Sequence, residues 1–267
     1  MKVGFVISAY RRPDITLRLL SALEGRPCAV HVDAKSEFNM SALLQTQAQI
    51  LPRHKCYWGD FGHVRATIKG LRWFVETDCD YVILLTGQCY PLVSISQIES
   101  TLSQLAGRSI MEIFPLPADR WRYGGMDRFE WFFIRPPGFK KQKSVRLWKR
   151  KIPFGLQPYG GIGYWCLERR HVSYILSFIS KYNIEDFFKR TLISDEIFFQ
   201  TILGNSRYLA EIENRTIHYM EWNSGAPNPN VIVDAKAALE SGKWFVRKIE
   251  DLWLADQIDK ARLPILL

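Results

Sequence analysis

The features missing from this chain narrow its identity first. No apolar stretch approaches the roughly 20 residues that cross a bilayer as a helix. The first apolar run, Val3-Gly4-Phe5-Val6-Ile7, is too short for a signal-peptide core and lacks a cleavage site. Cysteine is scarce. Cys28, Cys56, Cys79, Cys89 and Cys166 form no C-x-x-C pair, which argues against a zinc knuckle or a redox motif. An odd number of thiols in a chain too large to need staples fits a reducing compartment. The expectation is a cytoplasmic protein, with Cys28 and Cys166 as core residues. Neither G-x-G-x-x-G nor G-x-x-x-x-G-K-[ST] occurs, so dinucleotide and P-loop enzymes lack their phosphate cradle. Internal repeats and low-complexity segments are absent as well.

The residues that are present describe a folded domain. A hydrophobic share of 47% in 267 residues supports a large core and excludes a disordered chain. The net charge of +9, from 36 basic and 27 acidic residues, favours anionic partners such as nucleotide diphosphates, anionic lipid surfaces or nucleic acid. Nucleic acid is disfavoured, because no binding module is recognisable and the cations are not interleaved with stacking aromatics.

Along the chain, Val3–Ile7 reads as a buried strand. The periodicity of Ile15, Leu19, Leu20 and Leu23 predicts a helix closed by Gly25 and Pro27. Ala29–Val32 is a second strand and Tyr57-Trp58-Gly59 a weaker extended piece. Val64, Ile68, Leu71 and Phe74 mark another helix, and Tyr81–Leu85 is the clearest buried strand. Strands alternating with helices at this spacing predict βαβ units and a parallel sheet, whose ligands bind beyond the carboxyl ends of the strands. Polar residues stand there: Ser8 and Tyr10, Asp33, then Thr86 and Gln88. Singly they cap loops; grouped, they point to a nucleotide site. Residues 112–165 are rich in Trp, Arg, Pro and Gly without clean periodicity, a poor core and a plausible acceptor-binding lobe. Within that lobe Lys140, Lys141, Lys143, Arg146, Lys149, Arg150 and Lys151 crowd one stretch, either a solvated loop or a contact with anionic lipid or glycan. Helices return at about 170–182 and 194–204.

Four constellations carry chemistry. Gly160-Gly161-Ile162-Gly163 reads as a tight turn that lets backbone pack closely. Asp78-Cys79-Asp80 has the D-x-D form that holds a divalent metal in many sugar transferases, but it precedes its strand and so lies at the wrong end of the sheet; two loop carboxylates are the better reading. Ser194-Asp195-Glu196 opens a helix. Ser194 suits an N-cap and the acids suit the dipole, or one carboxylate faces a cleft as a general base. Phe245-Val246-Arg247-Lys248-Ile249 ends a short extended run with two cations, a weak signal that gains weight if no metal neutralises a leaving diphosphate.

These pieces, in this order, resemble the core-2/I-branching β-1,6-N-acetylglucosaminyltransferase family, which includes the peptide O-xylosyltransferases. The matching segments are His31-Val32-Asp33-Ala34-Lys35-Ser36, Asp80 through Leu92, Gly161 through Leu167, Ser194 through Ser206, and Phe245-Val246-Arg247-Lys248. The resemblance implies one α/β domain of GT-A type over 1–267: a Rossmann-like, mostly parallel sheet flanked by helices, with an irregular acceptor lobe. Residues 1–110 would form the nucleotide-binding half and 111–267 the acceptor-binding and catalytic half. It implies an inverting, metal-independent transfer with Glu196 as base, Asp33 at the uridine and Lys248 on the diphosphate, and no cofactor beyond the UDP-sugar donor. Ser8 and Tyr10 join the donor side. The family's upstream arginine has no clear counterpart, and Arg247 or Arg215 could substitute. Glu112, Arg120 and Trp222 fall near acceptor-holding positions. The expected partners are a UDP-sugar and a glycan or lipid-linked glycan, as in bacterial surface polysaccharide synthesis. Peripheral contact with an anionic membrane stays open, and nucleic acid is not expected. The alternative is an inactive nucleotide- or glycan-binding protein.

Overall fold

Alternation in the first strand sets the architecture. In β1 (Val3–Ala9), Val6 joins one apolar layer while Phe5 and Ile7 join another, so the strand is buried on both faces. Such burial belongs to the centre of a parallel sheet covered by helices on both sides. The computed structural model describes residues 1–136, 138–139, 142–146, 148–223 and 229–262.

After β1 come β2 (Cys28–Val32), β3 (Gln49–Ile50), β4 (Tyr81–Thr86), β5 (Cys89–Pro91), β6 (Ser109–Met111) and β7 (Phe114–Pro115). The later strands are β8 (Phe132–Ile134), β9 (Lys143–Val145), β10 (Tyr159–Gly160), β11 (Trp165–Glu168), β12 (Ile212–Glu213), β13 (His218–Tyr219) and β14 (Phe245–Arg247). The central sheet has seven strands in the order β12-β6-β11-β4-β1-β2-β3. It is mostly parallel, β11 alone running against both neighbours. A small sheet of order β13-β14-β5 sets Arg247 opposite Cys89, beyond the carboxyl end of β4. The α/β, Rossmann-like sheet expected from the sequence is therefore present.

The helices are α1 (Pro13–Ala22), α2 (Met40–Leu44), α3 (Gly62–Phe74), α4 (Ile95–Gln104), α5 (Asp127–Glu130), α6 (Arg169–Tyr182), α7 (Glu185–Phe188), α8 (Phe198–Gly204), α9 (Ala235–Glu240) and α10 (Leu252–Arg262). The predicted apolar face of α3 is the buried one, and the helix lies close enough to β1 that a Cβ on Gly70 would stand 2.3 Å from Val6. Leu19 and Leu23 bury on the opposite side with Ile95, Ile98 and Leu102 of α4, which starts in a capping box between Ser94 and Gln97. All five cysteines are free and buried. Among the described residues, no helix is long and apolar enough to cross a membrane.

Three local expectations are corrected. Tyr57-Trp58-Gly59 is a turn held by Asp60, whose Oδ1 accepts from the Tyr57 and Gly62 amides; the edge strand is Gln49–Ile50 instead. Ser194 is not an N-cap. Ile193 holds that position with φ 51°, its amide tied to the Gly59 carbonyl at 2.7 Å, and the Ser194 hydroxyl is buried without a partner. The segment 194–204 is not one helix: Ser194–Glu196 forms a 3-10 turn, Ile197 (φ −132°) breaks it, and α8 begins at Phe198. The lobe also carries more core than its sequence suggests, because Phe129 packs fully buried against Phe188.

The glycine run does bring backbones together. A Cβ on Gly161 would lie 1.9 Å from the Glu112 carbonyl oxygen, and the Gly161 amide donates to the Glu196 carbonyl at 3.0 Å. Because the obstacle is backbone, Gly161→Ala is expected to cost about 3 kcal/mol of stability. An unchanged denaturation midpoint would contradict that close approach.

Candidate active site

The carboxyl ends of β1, β2 and β4 open into a cavity of about 400 Å³. Of the residues singled out by sequence, Ser8, Tyr10, Asp33, Glu196, Trp222 and Arg247 all line it, as does Thr86. Asp33 sits just past β2. One oxygen accepts from the Lys35 amide at 2.9 Å and the Cys56 amide at 3.3 Å, the other from the Lys35 ammonium at 2.7 Å. Burial alone would raise this carboxyl, but those donors outweigh it and hold Asp33 below the usual carboxylate range.

Glu196 forms part of the opposite wall, presented by the 3-10 turn ahead of α8. Desolvation pushes its carboxyl up to about 7, with Asp195 and Glu112 adding to the rise and Arg128 opposing it. Arg128 donates to Glu196 Oε2 at 2.6 Å while its guanidinium lies 3.7 Å over the Trp121 ring. The pair places a proton acceptor of near-neutral affinity on a cavity wall.

Arg247 supplies the positive charge. Its Nη1 donates to the Thr86 hydroxyl, its Nε is buried without a partner, and it has no carboxylate partner among the described residues. The guanidinium lies 5.2 Å from the Tyr164 ring, which is itself tilted against His218 at 4.7 Å. A half-buried cation on the cavity wall with no carboxylate beside it is suited to meet an anion. Two indoles, Trp58 and Trp222, stand at the cavity 40% and 48% exposed.

Four other candidates lie outside the lining. Lys248 pairs with Glu250 at 2.6 Å, an acid also held by Gln88 at 2.9 Å. Arg215 donates to Glu213 at 3.0 Å and covers Trp244. Glu112 and Arg120 pair with each other at 2.9 Å. Asp78 and Asp80 bind the Lys2 side chain and amide at the far end of β4, away from the cavity. One group of three metal-ligand side chains occurs among the described residues, His31, His54 and Cys56 behind Asp33. Its donors are already engaged: His54 Nε2 bonds the Gly62 carbonyl at 2.9 Å, His31 Nε2 meets His54 Nδ1 at 3.0 Å, and the Lys69 ammonium crowds the same Nδ1 at 3.2 Å.

Sequence reasoning passed over Arg128, Trp58, Tyr164 and His63 as site residues. Arg128 belongs to no motif. Trp58 reads from sequence as part of an extended piece, and Gly59 beside it is the signal for the turn it occupies. If Arg128 tunes Glu196, Arg128→Met is expected to raise the Glu196 pKa by at least about 1 unit. Activity near pH 7 then falls about fivefold or more and returns in alkaline buffer. A uniform loss at every pH would instead mark Arg128 as a packing residue.

Comparison with known proteins identifies the family. The Core-2/I-Branching enzyme family model matches residues 3–246. Xylosyltransferase 1 of Homo sapiens and of Pan troglodytes are each 25% identical over 243 residues, covering 84% of this chain and 24% of the relative. Xylosyltransferase oxt of Drosophila melanogaster is 23% identical over 230 residues, covering 77% and 24%. The chain thus spans about a quarter of the length of these curated relatives. Among solved structures, a putative glucose-1-phosphate thymidylyltransferase from Bacillus anthracis aligns with TM-score 0.39 and 11% identity, over 79% of this chain and 85% of that one. With a family match over nearly its whole length and a strand-end cavity to go with it, the chain belongs to the Core-2/I-Branching enzyme family of glycosyltransferases.

Proposed function

We propose that this chain transfers a sugar from a UDP-sugar to a hydroxyl of a glycan acceptor, by a single inverting displacement that needs no metal. The observation that carries this reading is the cavity itself, where Asp33, Glu196 and the unpaired Arg247 face one space. The acceptor oxygen attacks the anomeric carbon as its proton passes to Glu196. The bond from that carbon to the diphosphate breaks, and the electron pair leaves with UDP. Arg247 offsets the charge that builds on the diphosphate, in the place a divalent ion takes in other sugar transferases. Asp33 serves the uridine, and the Trp222 and Trp58 faces suit the apolar side of an acceptor pyranose. Lys248, released from Glu250, and Arg215, released from Glu213, are the reserve cations; Glu112 and Arg120 lie further along the acceptor path.

N-acetylglucosamine is the donor sugar favoured by the branching enzymes, with surface polysaccharide synthesis in a bacterium as the setting. The xylosyltransferase relatives favour xylose as the second reading. The test is product formation from UDP-N-acetylglucosamine, UDP-xylose and UDP-glucose against simple glycosides, with and without EDTA. One donor is expected to give product at a rate EDTA leaves unchanged. Loss in EDTA restored by manganese would overturn the metal-free step. UDP binding without turnover on any donor would favour a catalytically inactive binding protein.

A further inference from the structure

A second concavity, of about 340 Å³, lies on the other side of the loop that carries Trp58 and Gly59. Lys55, Arg65, Arg135 and Arg190 converge on it, and none of the four has a carboxylate partner among the described residues. Asp60 is the sole acid in its lining, and its Oδ1 already accepts two backbone amides. Lys189, also in the lining, is paired with Asp186 at 2.6 Å. Arg135 also lies 3.5 Å over the Tyr57 ring, which leaves Lys55, Arg65 and Arg190 as three unpaired cations around one small space, and these mark an anion site.

The hairpin beside it adds a different property. In the β8/β9 ladder Phe132 faces Val145 and Ile134 faces Lys143, so these four side chains share one face, while Phe133 turns inward and is buried. Ile134 borders the basic concavity and is 38% exposed. Trp148, 61% exposed, stands edge-on to Phe132 at 5.6 Å, and Phe139, 52% exposed, lies under the Lys143 ammonium at 5.5 Å. The crowded basic stretch thus divides. Arg146 is spent over Trp131, Lys149 pairs with Glu130, and Arg150 is turned into the backbone carbonyls of Phe187 and Arg190. Lys143 stays on the outer face, and Lys140 and Lys141 fall outside the described residues.

We propose that this face docks on an anionic lipid bilayer, with a phosphate headgroup in the concavity and Ile134, Phe139 and Trp148 in the interfacial layer. Exposed cations beside exposed aromatic and aliphatic side chains match a surface that is anionic outside and apolar a few ångströms deeper. A soluble polyanion would use the cations and leave the apolar side chains without a role. The inference does not depend on the proposed reaction, since it concerns residues outside the catalytic cavity.

The test is co-sedimentation of the full chain, without sugar donor, on vesicles of phosphatidylcholine alone and of an equal mixture with phosphatidylglycerol. Binding is expected on the mixed vesicles and not on the neutral ones. Lys55→Glu with Arg65→Glu is expected to weaken it by about thirtyfold or more. Trp148→Ala is expected to weaken it while leaving binding to a soluble sulfated polysaccharide unchanged. Circular dichroism and UDP binding verify that the variants fold. Equal partition onto both vesicles, or mixed-vesicle binding that survives the double charge reversal, would overturn the proposal. So would tight polysaccharide binding with no loss of vesicle binding in Trp148→Ala, which would assign the concavity to a soluble polyanion.

Discussion

Glu196→Gln is expected to lower turnover by about 10²–10⁴-fold while UDP affinity stays within about twofold of the parent. The substitution keeps the shape of the side chain and removes only its capacity to take a proton. Because Glu196 is pushed up to about 7, the parent itself should titrate. At low pH the carboxyl is protonated and cannot act as a base; as pH rises through about 7 the carboxylate appears and kcat/KM climbs to a plateau. The variant's residual rate should lack that limb. Near-normal turnover in Glu196→Gln, or a parent profile flat from pH 5 to 8, would remove Glu196 from the base role. The double readout matters because Gln also leaves the Arg128 guanidinium without its counter-charge, and a folding defect would lower every rate without erasing the pH limb.

Arg247→Met carries the second large effect, with opposite signs in the empty and occupied protein. In the empty protein the Arg247 side chain is half-buried, with Nε unpartnered and no carboxylate beside it among the described residues. Replacing it with an apolar side chain of similar length is expected to stabilise the fold by about 1–3 kcal/mol. With donor, the same change should lower kcat/KM by about 10²–10³-fold, the loss that follows removal of a group aimed at developing charge. Thermal unfolding separates the two effects. UDP should raise the parent Tm and raise that of Arg247→Met much less, since ligand stabilisation scales with affinity. A variant destabilised when empty, with UDP protection intact, would show Arg247 to be a scaffold residue.

The sheet was legible because its central strands are uninterrupted apolar runs, and such runs have few other places to go. The strand-end polars were legible for the same reason: once β1, β2 and β4 are located, Ser8, Asp33 and Thr86 follow by position. The cations were harder to read, and the pattern of misses is physical. Lys248 is drawn to Glu250 and Arg215 to Glu213, each acid two residues away in the sequence. Arg247 has no such neighbour in the sequence, and it is the one that faces the cavity. An acid at i±2 is thus a local cue for which cation is already spoken for. Arg128 offered no cue, because its partner stands 68 residues away and its other contact is an indole face. The break at Ile197 was equally invisible: Ser-Asp-Glu has the composition of a good helix start, and only the tie from Ile193 to the Gly59 carbonyl forces the 3-10 turn that aims Glu196 inward.

The pairing of β14 with β5 has a consequence for how the site comes into being. Ser8, Tyr10 and Asp33 stand close together in the sequence, in or just past β1 and β2. Arg247 stands on β14, which is threaded between β13 and β5, so its guanidinium reaches the site only when this much later strand docks. On the proposed roles of Asp33 and Arg247, a chain folded only through β4 would have a seat for the base of a nucleotide and none for its phosphates. On those roles donor capture would wait for β14 to dock, and its pairing with β5 is of the long-range kind that forms late in folding.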